Sequence, residues 1–525
     1  MKNQQRFKKI GLLSLLLLSI TTFAHAQLWT QQTVPTLALR DPIDNPKGFG
    51  SSVSLSADGN LALVGASLTR VGVDNSFQGK AYFYKRIGSN WVQMQALKDK
   101  NGKYLDKLGY STHLSADGKV AIVGSLYCDA PNFDQGAAFV YTLTSADTMI
   151  ARVRISASDG RSNDRFSESI SASADGSTII VGAPQKSFFE SGSFSPRRGK
   201  CYIFNRIDTT WVERQSIYPA NDVQGYTFGY SVSLSADGNT ALIGAPDARD
   251  ANNNLQGRAY IFTRNSNGLF TEQLSLPITD SVKYGSIGLN VSLSADGNTA
   301  AVYGWGIKPG TTRAQGKIYV FTRAGNTWQL QSRLSATDEE EFDGFGESKA
   351  LSISGDGRTI VVGAYNKNMV AINGSFGKVY IYARVGNGWV EQSTVFARNS
   401  ANVGSFGKAL SLSFDGNTAL MGAEDSSEPG QTFVFIRNPN ATTETNKKSN
   451  ITLYPSTVKD ELYIKTDALT PIVEVQIANA VGQIVYVQKN LTGNALNLQG
   501  LPSGLYVVSV RDTEGGIATG KIIKN

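Results

Sequence analysis

Histidine is all but missing from this chain. Of 525 residues, two are histidine, His25 and His113, and two are cysteine, Cys128 and Cys201. A metal cluster built on imidazole is thereby excluded, and a Ser-His-Asp triad has His113 as its one usable base. His113 stands where sibling segments carry Ser54, Ser233 and Ser292, so packing outweighs catalysis as its role. Two cysteines make no disulfide framework. Cys128 and Cys201 are read either as one bridge or as two separate buried thiols, the second being the default. Runs of helix-forming residues are scarce beyond the N-terminus. No Cys-x-x-Cys and no Gly-rich phosphate loop occurs. No Lys/Arg cluster stands out, so a nucleic-acid footprint is unsupported; Arg197-Arg198 reads as a solvated pair.

Long apolar runs are missing too, with one exception. Lys8-Lys9 lead into an apolar stretch from Ile10 to Ile20, and Ala24-His25-Ala26 offers a small-x-small cleavage site before Gln27. The pattern is that of a secretory leader over residues 1–26, too short and wrongly flanked for a spanning helix. Its removal takes away Lys2, Arg6, Lys8 and Lys9 and lowers the formal charge from +7 to +3. No cysteine follows the cleavage site, so no lipid anchor is expected there. No other segment could cross a bilayer as a helix.

What is abundant is glycine, at 53 residues, with 21 tyrosines and 24 phenylalanines. They fall into a repeat. The phrase FGYSVSLSADGNTALIGAP, Phe228 to Pro246, recurs with variations, and its Asp-Gly turn returns at Asp58, Asp117, Asp175, Asp237, Asp296, Asp356 and Asp415. Those aspartates lie 59, 58, 62, 59, 60 and 59 residues apart. Each unit offers an alternating strand (Ser231 to Ser235), the Asp-Gly hairpin, a second strand (Thr240 to Ile243) and a variable loop. A third strand follows (Gly257 to Phe262), and then a fourth that usually opens on tryptophan. The openings are Trp91, Trp211, Trp328 and Trp389, with Phe270 in repeat four and Ile150 in repeat two. Four antiparallel strands in some sixty residues, repeated seven times, predict an all-β fold with a seven-bladed β-propeller. The seventh unit lacks its fourth strand, whereas Leu28-Trp29-Thr30-Gln31-Gln32 near the N-terminus matches one. The N-terminal segment is therefore expected to complete the last blade and close the ring.

Phe228-Gly229 with Gly244-Ala245-Pro246 resembles an FG-GAP repeat, the unit of the integrin α-chain propeller and of many bacterial surface proteins. Phe49-Gly50 with Gly65-Ala66, Phe345-Gly346 with Gly363-Ala364, and Phe406-Gly407 with Gly422-Ala423 fit as well. Phe166-Ser167 with Gly182-Ala183-Pro184 is close. Leu108-Gly109 with Gly124-Ser125, and Ile287-Gly288 with Gly304-Trp305, are degenerate. The resemblance implies the propeller fold and no particular activity. Calcium-binding members carry several carboxylates in the first hairpin; here Ser-Ala-Asp-Gly-Asn-Thr holds one. No metal ligands are carried over, and no cofactor is expected.

A polar linker is expected over 439–450, and residues 451–525 change character to short alternating strands that predict a small β-sandwich. This segment resembles the type A C-terminal sorting domain of the type IX secretion system. The resemblance lies in Leu453-Tyr454-Pro455, Asn479-Ala480-Val481-Gly482-Gln483, the run from Leu498 to Tyr506, and Lys521-Ile522-Ile523-Lys524. The usual Pro-Asn-Pro opening is altered to Tyr454-Pro455-Ser456. The resemblance implies export across the outer membrane, with the secretion machinery as a partner.

Within 27–438, the loops between second and third strands and the blade connections share one face, and they vary most. Function tends to sit on variable loops held by a rigid scaffold. The candidate ligand contacts are Tyr127, Phe188, Phe189, Arg197, Arg249, Trp305, Lys308 and Tyr365. The acidic run Asp338 to Asp343 reads as a solvated loop or a cation site; Asp159 with Asp164, and Asp99 with Asp106, occupy similar loops. The expected function is non-enzymatic binding or adhesion to an extracellular protein or glycan by a secreted or cell-surface monomer. A polysaccharide hydrolase using paired carboxylates on the same face is the alternative.

Overall fold

The innermost strand of each blade leaves one row of backbone amides without a partner in its own sheet, and neighbouring blades supply what is missing. The computed structural model describes residues 29–37, 47–71, 77–190, 193–195, 198–219, 226–250, 253–278, 285–307, 314–338, 343–368, 376–397, 404–424, 429–437, 452–455, 457–465, 471–479, 484–491, 493–512 and 517–525. The expected leader and linker lie outside them. The chain divides into two compact units, one spanning Trp29–Asn438 and the other containing Pro439–Asn525.

The first unit holds seven four-stranded antiparallel sheets. Blade four, Ser231–Leu234, Thr240–Ala245, Arg258–Arg264 and Phe270–Ser275 from inside to outside, is typical. Blade seven is built from Phe406–Leu412, Thr418–Ala423 and Gln431–Arg437, and its outer strand is Trp29–Thr36. Trp29 stands opposite Arg437 as Trp91 stands opposite Arg86 and Trp389 opposite Arg384, so the N-terminal strand enters in the register of every other outer strand. In blade two the corresponding register position, opposite Leu143, is held by buried Met149, whereas Ile150 stands one place on, opposite Thr142, and is 44% exposed. This corrects the expectation for Ile150.

Three sets of contacts join the blades. On the turn face a ring of backbone bonds runs from hairpin to hairpin: Ala57 N–H to Ala116 O, Asp117 to Ala174, Ala174 to Ala236, Ala236 to Ala295, Ala295 to Gly355, Asp356 to Phe414, and Phe414 back to Ala57. One turn deeper, the serine of each inner strand caps the edge amide of the next blade. The amides of Leu114, Leu234, Leu293, Ile353, Leu412 and Leu55 donate to Ser54, Ser171, Ser233, Ser292, Ser352 and Ser411 at 2.9–3.3 Å. His113 fills the remaining place and hydrogen-bonds the backbone of Ala172. Near the other face the two halves of the repeat meet across blades. A Cβ on Gly244 would lie 1.8 Å from the carbonyl oxygen of Gly288 in blade five, whose own φ is +86°. The Phe-Gly of one blade thus closes on the Gly-Ala of the blade before it, and neither glycine tolerates a side chain. The phenylalanine beside it fills the space between blades, Phe228 lying edge-on to Tyr260 at 5.6 Å.

Blade five departs from this. By register Tyr303, rather than Gly304, takes the glycine's place, opposite Ile318 as Gly244 is opposite Ala259. Its ring lies against Gly346 of blade six, so a tyrosine fills the volume that two glycines close elsewhere.

The carboxylates before blades three and six are structural. Lys186 reaches back to Asp164 at 2.8 Å and to the carbonyl of Asp159, whose carboxylate takes Tyr202 Oη at 2.6 Å and Lys200 at 3.1 Å. Blade six repeats the clasp: Lys367 holds Asp343 at 2.9 Å and the carbonyl of Asp338, and Asp338 takes Lys378 at 2.8 Å and Tyr380. Asp338 and Asp343 are therefore ion-paired anchors rather than solvated ends of an acidic loop; 339–342 lie outside the described residues. Burial pushes the Asp164 carboxyl upward even so. In blade two Cys128 stands where Lys186 does, its amide bonded to Ser125 O as Lys186's is to Ala183 O. Buried Asp106 has no lysine ion-paired to it among the described residues, Lys103 pairing with Asp129 instead, and it is pushed up to about 6, chiefly by desolvation.

The second unit is a sandwich. A sheet of Thr452–Tyr454, Glu461–Lys465 and Ala495–Asn497 shares one core with a five-stranded sheet of Thr457–Val458, Ile517–Lys524, Gly504–Asp512, Ile472–Asn479 and Ile484–Leu491. Leu462, Ile464, Val475, Ile477, Val508 and Val510 fill it.

Lys186 and Asp164 are 3% and 1% exposed. Lys186→Met leaves a buried carboxylate unpaired and should cost about 3–5 kcal/mol; adding Asp164→Asn should recover much of it. Denaturant unfolding checks this, and a single-variant loss below about 1 kcal/mol would contradict the clasp. His113 is held down to about 4 by burial, which outweighs its backbone bond. The unfolded imidazole charges near pH 6.5, so its contribution is complete above that pH and is lost as pH falls toward 4. Relative to His113→Ser, the natural protein should lose up to about 3 kcal/mol between pH 7 and pH 4; a pH-independent difference would contradict the burial of a neutral imidazole.

Candidate functional site

The inner strands of all seven blades surround a central cavity of about 360 Å³. At the turn end it is bordered by Ala57, Ala116, Ala174, Ala236, Ala295, Gly355 and Phe414. Phe414 replaces the alanine of its siblings and is 48% exposed. A Cβ on Gly355 would come within 2.3 Å of the Phe414 ring, so blade six has given up its own alanine to admit the neighbour's aromatic.

The opposite end is asymmetric. The inner strand enters the channel just after Phe-Gly or its equivalent, and the residue at that place differs in every blade but two pairs: Ser51, Tyr110, Glu168, Tyr230, Leu289, Lys349 and Lys408. In blade six Glu347-Ser348 are inserted before Lys349, with Ser348 at φ +59°. Lys349 then crosses to blade two, where its Nζ donates to the Tyr110 carbonyl and sits 4.1 Å over the Tyr110 ring. Blades six and two are three blades apart by the shorter way round, so the side chain bridges the mouth.

Tyr110 Oη donates to Glu168 Oε1 at 2.7 Å. Glu168 is 5% exposed, and its Oε2 is buried with no hydrogen-bond partner among the described residues. Burial draws Lys349 down to about 8 despite the opposing charge of Glu168. Burial, helped by Glu168, pushes Tyr230 up to about 12. On the blade six side Glu347 accepts from Tyr365 at 3.0 Å and from Tyr303 at 3.4 Å. Lys408 pairs with Glu424 at 2.8 Å, its Nζ 5.8 Å from the Tyr365 ring. Burial raises Tyr365 to about 12, with Glu347 adding to it.

Of the eight residues expected from the variable loops, Tyr365 joins this network. Tyr127 stands apart under two cations, Lys107 at 4.9 Å and Arg165 at 5.6 Å. Arg249 closes its own loop, donating to Asn253 O at 2.8 Å and lying 5.7 Å from the Tyr226 ring. Trp305 packs against the hydrophobic layer between blades five and six. Phe188 and Phe189 belong to an added hairpin, Phe188–Glu190 against Ser193–Ser195, of which the backbone is described. Arg197 and Lys308 lie outside the described residues. The bridge between Cys128 and Cys201 is not formed; both thiols are free and buried. Cys201 belongs to the layer between blades three and four, and Cys128 to a small cluster with Ala130 and Ala137 in blade two, so the two side chains occupy different layers. Among the described residues no group of three or more His, Cys, Asp or Glu side chains is placed to hold a metal ion.

The loop-based expectation missed Tyr110, Glu168, Tyr230 and Lys349. Their signal was available: the position after Phe-Gly is the one place in an otherwise uniform strand where small, aromatic, acidic and basic residues alternate.

Comparison with known proteins agrees with this architecture. Residues 151–204, 211–262 and 328–382 match the FG-GAP repeat. Each match starts in the outer strand of one blade and ends in the third strand of the next, the offset that leaves the last blade to be finished by the N-terminus. Residues 452–525 match the secretion system C-terminal sorting domain. No curated protein sequence matches the chain. Among solved structures, a periplasmic gluconolactonase from Pseudomonas aeruginosa is similar at 17% identity over 68% of this chain and 86% of that one, with a TM-score of 0.41. The chain thus carries FG-GAP repeats in its propeller and, over 452–525, a secretion system C-terminal sorting domain, which marks it for type IX export to the cell surface or outside.

Proposed function

We propose that this exported propeller is a non-enzymatic binding protein that engages an extracellular glycan or protein through the face bearing the channel mouth and the long loops, and that it works as a monomer. The observation that carries the reading is the mouth itself. Of the seven equivalent positions there, five line the channel, and Tyr110, Glu168, Tyr230, Leu289 and Lys349 bring mixed chemistry to a ring otherwise rich in serine and small apolar residues. A uniform scaffold with one variable ring is what selective recognition calls for.

The hydrolase reading asks for two carboxylates facing one substrate, about 5–10 Å apart. Among the described residues Glu168 is the one acid that lines the cavity. The acid pairs before blades three and six are held by lysines, which leaves neither pair free for acid–base work.

An array of glycans and extracellular proteins, probed with the full chain, tests the proposal. Selective binding that falls at least tenfold in a Tyr110→Ala, Tyr365→Ala double variant is expected. Silence on both halves of the array, or release of reducing ends from a polysaccharide panel, would contradict it.

A further inference from the structure

Glu168 presents a chemical imbalance that nothing in the resting protein resolves. Its side chain is almost fully buried, one oxygen is satisfied by Tyr110 Oη at 2.7 Å, and the other, also buried, has no donor among the described residues, while the residue as a whole lines the cavity. A buried carboxylate oxygen left without a donor is costly, and water or a ligand must supply one. Across the mouth stands Lys349, whose ammonium carries three donors; it spends them on the Tyr110 carbonyl and on the face of the Tyr110 ring. Glu168 and Lys349 thus line one cavity from different blades, each in contact with Tyr110.

We propose that this space, between Tyr110, Glu168, Tyr230 and Lys349, is a binding site for one neutral sugar ring of a glycan, with its hydroxyls bridging Glu168 Oε2 and the Lys349 ammonium. The inference rests on the glycan arm of the binding reading and narrows it. Charge balance favours a neutral ligand: the carboxylate and the ammonium offset each other, so a charged guest would bring an unmatched charge into a largely desolvated site. A sugar hydroxyl donates and accepts at once, which suits a cavity lined by a free acceptor and a cation. The whole channel amounts to about 360 Å³, so the part of it at the mouth suits a single ring rather than a folded loop. The ring of Tyr230 gives the apolar face of a pyranose a surface to rest on. The Glu347-Ser348 insertion, the one lengthened entry among the inner strands, precedes Lys349 and carries its side chain to Tyr110.

Calorimetry and saturation-transfer NMR on the full chain test this, with glucose, galactose, mannose, fucose, N-acetylglucosamine and N-acetylgalactosamine as probes and butylammonium as the cationic control. At least one sugar should bind, and Glu168→Gln, which keeps shape but removes the charge, should weaken it at least tenfold. Lys349→Met should weaken the same sugar. In the unaltered protein, saturating sugar should slow acetylation of Lys349, read by mass spectrometry, at least threefold; this measurement stands even if a variant fails to fold. The proposal is overturned if no sugar binds, if sugar binds with Glu168→Gln and Lys349 acetylation unaffected, or if butylammonium binds and the sugars do not. Array binding that survives such a failure would leave the broader binding reading intact and move the site to the outer loops; a silent array as well would remove both.

Discussion

An innermost β-strand has an exposed edge, and this propeller depends on how that edge is covered. Edge amides invite pairing with other chains. Here the inner strands of six blades have an amide met by the serine of the blade before, from Ser54 capping Leu114 to Ser411 capping Leu55, and His113 stands in the seventh place. One such bond contributes only about 0.5–1.5 kcal/mol. The geometry matters more, because each serine ties two blades and the last tie closes on the first. The same closure is made again by the Phe414–Ala57 backbone bond and by Trp29–Thr36 on the outside of blade seven.

The interblade contacts explain the form of the repeat. The aspartate of each hairpin is a cap, as with Asp237, which accepts from Ser235 Oγ and the Asn239 amide; these bonds outweigh burial and hold its carboxyl below the usual range. The glycines of Phe-Gly and Gly-Ala are required where Gly288 and Gly244 meet. With those positions fixed by packing, chemistry is free to vary where packing does not decide. That place is the first residue after Phe-Gly, at the mouth of the channel. A rigid inner ring therefore holds Tyr110, Glu168, Tyr230 and Lys349 in fixed relation although they come from four different blades.

Much of the architecture was legible because the repeat encodes it directly. The spacing of the Asp-Gly turns gave the blade count, and Trp29 matched Trp91 and Trp389 closely enough to reveal the closing strand. Register within a degenerate copy was less legible: in blade five the eye follows Gly304, whereas strand pairing puts Tyr303 in the glycine's place. The lysine clasps were hidden because Lys186 and Lys367 lie some twenty residues from their aspartates, and the spacing of such contacts follows loop lengths rather than a period. The candidate site was sought in the loops that differ most in length. The structure brings side chains together instead at a position that differs in kind while the chain length stays nearly constant. Recognising it required knowing that residues about sixty apart converge on one axis.

The central claim is that neighbour-to-neighbour capping makes the inner ring rigid enough to position a site at its mouth. Residue-resolved hydrogen exchange on the native chain tests it most directly. The amides of Leu55, Leu114, Leu234, Leu293, Ile353 and Leu412 should be as protected as those in the middle strands, opening only with global unfolding, and Ser233→Ala should selectively release Leu293. Rapid exchange at these edge amides in the unaltered protein, or no change at Leu293 in the variant, would contradict the account.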